Sequence, residues 1–226
     1  LRLLLMRHGQ THANVSGDLD TAAPGADLTD LGRAQAVAAA QALADEHLDA
    51  IYVSSRVRTH QTAAPTADDR AITPTQLDGL EEIAAGDFEM RHDHDAVAGY
   101  IGTVATWLGG EVTARMPGGE TGEEFLARFD RAVRTIVEAG HSSALVVSHG
   151  AALRTWSYAR MAPTPDAPPP TEPLHNTALI VLDGDVDAGW SLVSWQGHPV
   201  GGDLLEDPTA EDPTGDLDSD GDGELG

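Results

Sequence analysis

The chain of 226 residues contains no cysteine, and all thirteen of its Lys+Arg residues are arginine. Without cysteine there are neither disulfides nor thiolate metal sites. Without lysine there is no Schiff-base amine and no P-loop lysine, so anion recognition falls to Arg, His and backbone N–H groups. Positive charge is scarce: the formal net charge of -24 argues against general nucleic-acid binding, which draws its affinity from basic surface. Long apolar runs are missing too, and no stretch approaches the roughly 20 residues of a membrane span. The first residues read as a strand rather than a signal peptide, since no small-residue cleavage site follows Met6. A cytoplasmic location with no membrane or nucleic-acid partner is the expectation. Nothing in the sequence specifies an oligomeric state.

The acidity is uneven. Residues 203–226 hold ten acidic residues and no basic one. This segment is expected to be a disordered tail, removable without effect on the rest, behind a single domain over 1–202. Within it Asp216, Asp218 and Asp220 before Gly221 match the opening of a calcium loop. The bidentate Glu that such a loop needs at its twelfth position is not reached, so solvated acid is the reading.

Two short apolar runs end alike. Leu3-Leu4-Leu5-Met6 runs into Arg7-His8-Gly9, and Ala144-Leu145-Val146-Val147-Ser148 runs into His149-Gly150. Such runs read as strands buried on both faces of a parallel sheet, whose carboxyl ends are where open α/β sheets bind ligands. Further strands are expected at 50–53, 177–182 and 190–195, with an edge strand at 72–77 interrupted by Pro74. Thr29 is a plausible N-cap for a helix over 33–44, and Thr121 with Glu124 forms a capping-box pattern opening a helix over 122–139. Helices are also expected over 58–68, 95–108 and 151–160, and a loop over 10–27. The alternation gives an α/β fold, a three-layer αβα sandwich with a mostly parallel central sheet.

Four pieces carry the chemistry. Arg7-His8-Gly9 places an Arg and a His at a strand end, Ser54-to-Ala63 supplies Arg58, Leu80-to-Gly86 supplies a carboxylate, and Ser148-His149-Gly150 supplies a second His and a helix N-terminus. Arg forks and helix N-termini favour tetrahedral oxyanions such as phosphate. A neutral imidazole can accept a phosphoryl group, and a carboxyl group kept protonated by desolvation can protonate a departing alkoxide. His92-Asp93-His94-Asp95 also offers metal-ligand types, but alternation in a polar loop reads as solvated residues.

As an ordered set these motifs resemble the histidine phosphatase superfamily, in its phosphoglycerate-mutase-like branch. The set comprises Arg7-His8-Gly9-Gln10-Thr11 with Asn14, Leu28-Thr29 with Gly32, Arg58 with Gln61-Thr62-Ala63, Glu82-Ile83 with Gly86, Pro117-Gly118-Gly119-Glu120, and Ser148-His149-Gly150. The resemblance implies that His8 is the phosphoryl acceptor and Glu82 the acid/base. Arg7, Arg58 and His149 would hold the transferred oxygens, and Asn14 and the backbone around Gly150 would complete the cradle, with Thr11 nearby. Asn176, before the penultimate strand, is a further contact. The same resemblance implies no metal and no cofactor. The motif spacing selects Arg58 over Arg56, and Glu82 over Glu81 and Glu89. Met90 stands where the family commonly has glycine.

The function implied is hydrolysis of a small phosphorylated metabolite. A phosphoglycerate mutase is the alternative within catalysis, and a catalytically silent binding protein the alternative outside it. The segment between Gly86 and Pro117 is short and acidic, with Arg91 and Arg115 its only basic residues, which leans away from a mutase.

Overall fold

The computed structural model describes residues 1–210 and 212–214. The aspartates of the calcium-loop pattern lie outside the described residues. Six strands form one sheet: β1 (Arg2–Arg7), β2 (Ala50–Val53), β3 (Thr75–Gln76), β4 (Ser143–Ser148), β5 (Leu179–Asp185) and β6 (Gly189–Gln196), in the order β3-β2-β4-β1-β5-β6. The pairs β3-β2, β2-β4 and β4-β1 are parallel, and β5 runs antiparallel to both β1 and β6.

Why the central runs are continuously apolar follows from the pleat, because successive side chains point to opposite faces and both faces are covered. Leu3, Leu5, Ala144 and Val146 pack into one core with Tyr100, Phe125, Phe129 and Trp156. Leu4, Met6, Leu145 and Val147 pack into a second with Ala39, Leu43 and Ala63. The first core lies under α4 (His94–Leu108), α5 (Gly122–Glu138) and α6 (Gly150–Arg160). The second lies under α2 (Asp30–Ala42) and α3 (Val57–Arg70). This is the expected three-layer sandwich.

Local signals act as read. The Thr29 hydroxyl accepts from Gly32 N at 2.9 Å, and Thr121 and Glu124 form a reciprocal capping box. Three local expectations change. The loop over 10–27 contains a short helix, α1 (His12–Ser16), capped by Thr11 and Asn14. The edge strand contracts to Thr75–Gln76. The β5 strand starts at Leu179 rather than 177, because Thr177 turns into the left-handed region at φ 57° to direct its N–H at the carbonyls of Arg7 and His8.

The largest departure concerns the C-terminal segment. Residues 203–210 and 212–214 were expected to be disordered, but they lie along the domain. Gln35 donates to Leu205 O at 2.7 Å and Gln10 donates to Asp207 at 3.0 Å. Arg7 and Asn14 reach Asp212, for the reason that an acidic segment beside a buried cation finds its charge compensated.

Candidate active site

The register of β1 on β4 aligns Arg7 with Ser148, and His8 N donates to Ser148 O at 3.0 Å. The two His-Gly ends therefore emerge side by side, with ring centroids of His8 and His149 5.3 Å apart in an edge arrangement. The loop after β1 can pass close to α2 only because two motif glycines face each other. A Cβ on Gly9 would stand 2.7 Å from Gly32 O, and one on Gly32 2.1 Å from Gln10 O.

His8 is buried, and its Nδ1 lies 2.8 Å from Gly9 O. A carbonyl only accepts, so Nδ1 carries the proton and Nε2 keeps its lone pair. Burial, reinforced by the Arg58 and Arg7 cations, holds His8 well below its ordinary 6.5. The ring is thus neutral with a free nitrogen, the state a nucleophile needs.

His149 is fully buried, and burial together with Arg58 keeps it well below its ordinary 6.5. Its Nε2 meets Ser54 Oγ at 2.8 Å. The tautomer that serves an oxyanion has its proton on Nδ1, with the Ser54 hydroxyl donating to Nε2. Ser54 comes from the end of β2, and the sequence reading passed over it.

Arg7 donates to Leu174 O at 2.8 Å and Thr214 Oγ1 at 3.1 Å, and its Nη2 lies 2.5 Å from Asp212 Oδ2. Arg58 donates to Asp20 O at 2.9 Å and reaches Asp20 Oδ2 at 3.4 Å. Among the described residues, Arg7 Nε, Arg58 Nε and His149 Nδ1 are buried without a hydrogen-bond partner. Leaving three such groups dry costs several kcal/mol together, at about 1–3 kcal/mol each, so the pocket is built to be completed by an acceptor-rich ligand.

Glu82 is buried, and its carboxylate accepts from Ile83 N and Ala152 N, each at 2.8 Å, and from Ala151 N at 3.2 Å. It caps the α6 N-terminus, so those N–H groups face the carboxylate rather than an open cradle. This modifies the expectation for the backbone around Gly150. Gly150 serves the site by having no side chain, since a Cβ there would stand 2.7 Å from Thr214 O and 3.0 Å from Arg7 Nε. Burial raises the Glu82 pKa above its ordinary value, against the pull of those N–H groups and of Arg7 and Arg58. The loop carrying Glu82 is clamped by Arg128, which donates to the carbonyls of Gly79, Glu81 and Glu82 and forks onto Glu120 at 2.8 Å through both Nε and Nη2. An open cleft of about 460 Å³ beside Glu82 is lined by Arg56, Glu81, Ala84, Glu120 and Arg128, among others.

Asn14 Oδ1 accepts from Thr11 N at 2.9 Å and Thr11 Oγ1 at 3.0 Å, while its Nδ2 donates to Asp212 Oδ1 at 3.0 Å. Thr11 is therefore a cap that orients Asn14. Asn176 Nδ2 donates to His8 O at 3.1 Å and lies 3.4 Å from Asn14 Oδ1, bracing the nucleophile's backbone. The expected residues gather around the ends of β1 and β4, with Thr11 placed behind Asn14 and Gly150 contributing through its missing side chain. Arg56 turns to Thr21 O at 2.7 Å, and Glu89 binds the backbone of Thr21 and Ala22. The 92–95 motif disperses: His92 pairs with Asp18, and Asp93 caps α4 while pairing with Arg91. Met90 takes φ 58°, the left-handed conformation for which glycine is the usual residue.

A sequence profile described as the histidine phosphatase superfamily (branch 1) matches residues 3–197. The chain belongs to this family. Among the relatives of this histidine phosphatase chain, the Mycobacterium tuberculosis PE-PGRS family protein PE_PGRS11 is 38% identical over 222 residues, covering 91% of the chain. The chain spans 38% of that protein's length. Escherichia coli adenosylcobalamin/alpha-ribazole phosphatase is 32% identical over 150 residues, 66% of this chain and 73% of the relative. A solved mycobacterial glucosyl-3-phosphoglycerate phosphatase superposes with a TM-score of 0.71 at 26% identity, covering 86% of this chain and 98% of that one. No helix among the described residues is long and apolar enough to cross a membrane.

Proposed function

We propose that this chain is a phosphomonoesterase that hydrolyses a small phosphorylated metabolite through a phosphohistidine on His8. The observation that carries this reading is the His8 ring, with Nδ1–H on Gly9 O and Nε2 free, set beside His149, Arg7 and Arg58. His8 Nε2 attacks phosphorus as the ester oxygen leaves. Arg7, Arg58 and His149 Nδ1–H meet the three equatorial oxygens, where phosphoryl transfer gathers its charge. Glu82, whose pKa burial raises, gives its proton to the departing alkoxide. Water then attacks phosphorus, Glu82 takes its proton, and the N–P bond breaks to regenerate His8 and release inorganic phosphate. The reaction needs no metal at this site.

The alpha-ribazole and glucosyl-3-phosphoglycerate phosphatases among the similar proteins support hydrolysis, beside a probable phosphoglycerate mutase of Yersinia pestis that is also 32% identical over 159 residues. So does the 86–117 segment, where both cations are committed locally: Arg91 forks onto Asp93, and Arg115 onto Glu124. A mutase would need such cations free for a second anionic group. The catalytic unit is residues 1–202, in a cytoplasmic setting, with Asp212 and Thr214 of the following segment placed against Arg7. The test is phosphate release from a panel of phosphomonoesters with chelator present, including 3-phosphoglycerate with and without its bisphosphorylated cofactor. Release from one class supports the reading; isomer conversion without release would assign a mutase, and neither would assign a binding protein.

A further inference from the structure

His175, His198 and Glu206 stand outside the catalytic chemistry and face one another. Their donor atoms all lie within 4.8 Å of each other. Glu206 Oε1 is 3.5 Å from His175 Nε2, and its Oε2 is 2.9 Å from His198 Nδ1. The imidazoles stack with centroids 5.2 Å apart and planes 13° apart. The backbone sets this pairing, because His175 N donates to Gly197 O at 2.9 Å and so joins the entry of β5 to the exit of β6.

We propose that these three side chains bind one divalent transition ion of the zinc type, which fastens the C-terminal segment across the phosphate pocket. The donor set suits such an ion: two imidazole nitrogens and one carboxylate, with a fourth position for water. At metal–ligand distances of about 2.0–2.2 Å, tetrahedral donors stand roughly 3.3–3.6 Å apart. The donor separations are close to that range, and ligation requires the two stacked rings to rotate so that both lone pairs meet one ion. The consequence follows from chain order. Glu206 is followed by Asp207, held by Gln10, and by Asp212 on Arg7 and Asn14. An ion joining Glu206 to the two histidines pins the origin of the segment whose carboxylate occupies the anion pocket.

The experiment uses the full chain stripped of metal with chelator and titrated with Co²⁺, read by its visible absorption, with Zn²⁺ as competitor. One equivalent is expected to bind, and His198→Ala and Glu206→Gln should each weaken binding at least tenfold. His92→Ala, in the other His/Asp motif, should bind like the parent. Zn²⁺ should also slow amide hydrogen exchange across residues 203–210 in the parent and not in Glu206→Gln. Absence of one-to-one binding, or equal binding by the His198 and Glu206 variants, would reduce the trio to a hydrogen-bonded cluster. Binding without slowed exchange would overturn the fastening role. None of these readouts depends on turnover, so the proposal stands or falls separately from the assigned activity.

Discussion

Asp212 occupies donors on Arg7 and Asn14 that the proposed mechanism assigns to a substrate phosphate, and substituting it should expose the competition. Its carboxylate lies 2.5 Å from Arg7 Nη2 and accepts from Asn14 Nδ2 at 3.0 Å. A hydrogen bond to a charged group contributes about 1.5–3 kcal/mol net, and ordering the segment offsets part of the sum. A closed form favoured by about 1.4 kcal/mol is populated roughly tenfold over the open one. Substrate binds only the open form, so its apparent affinity falls by the same factor. Asp212→Asn keeps the shape and removes the charge. We expect KM for p-nitrophenyl phosphate to drop about tenfold, with kcat unchanged because chemistry occurs in the open form. The inhibition constant of vanadate should drop in parallel, and removal of residues 203–226 should do at least as much. This reverses the expectation from sequence that the tail is dispensable. An unchanged KM and unchanged vanadate inhibition in both proteins would refute the reasoning.

Other outcomes follow from the same geometry. Glu82→Gln should lower kcat by about 10²–10⁴-fold for alkyl phosphates, and far less for p-nitrophenyl phosphate, whose leaving group needs no proton; equal losses on both would remove the acid role. Ser54→Ala leaves the buried His149 Nε2 without its donor and should lower kcat about tenfold while costing about 1–3 kcal/mol of stability, as read by steady-state kinetics beside calorimetry. Burial holds His8 and His149 well below 6.5, so the unfolded chain takes up protons that the folded one refuses. Stability is therefore full above 6.5 and falls as pH drops below it, by about 1.4 kcal/mol per pH unit for each histidine. Glu82, raised by burial, works the other way, losing its contribution as pH rises above 4.5. His149→Asn should flatten the fall of the thermal midpoint below pH 6.5, and an unaltered slope would show that His149 is not held neutral.

The sheet was legible because its strands announce themselves. Apolar runs ending twice in His-Gly read as central strands whose ends meet at a polar pocket, and the register of Arg7 on Ser148 delivers that meeting. The proposed catalytic groups stand in the sequence as motif residues. Their supports were not legible, because they act through ordinary residue types at long sequence separation. Ser54 reaches His149 across 95 positions, Arg128 reaches the Glu82 carbonyl across 46, and Asp20 meets Arg58 across 38. No local pattern marks such partners. Thr177 and Met90 illustrate a different limit, since both hold positive φ without being glycine, and propensity alone argues against it. The contacts of Asp207 and Asp212 were not legible for a physical reason: composition speaks to solvation of an isolated chain, whereas Gln10 and the buried Arg7 supply partners from the far end of the sequence.

The central claim is a covalent intermediate on His8. The direct measurement is acid-labile, base-stable incorporation of labelled phosphate during turnover, with the modified residue located by peptide mapping after a rapid base quench and with chelator present. The account predicts label on His8, none in His8→Ala, and hydrolysis lost with it. Label on another residue, or turnover near that of the parent in His8→Ala, would contradict it.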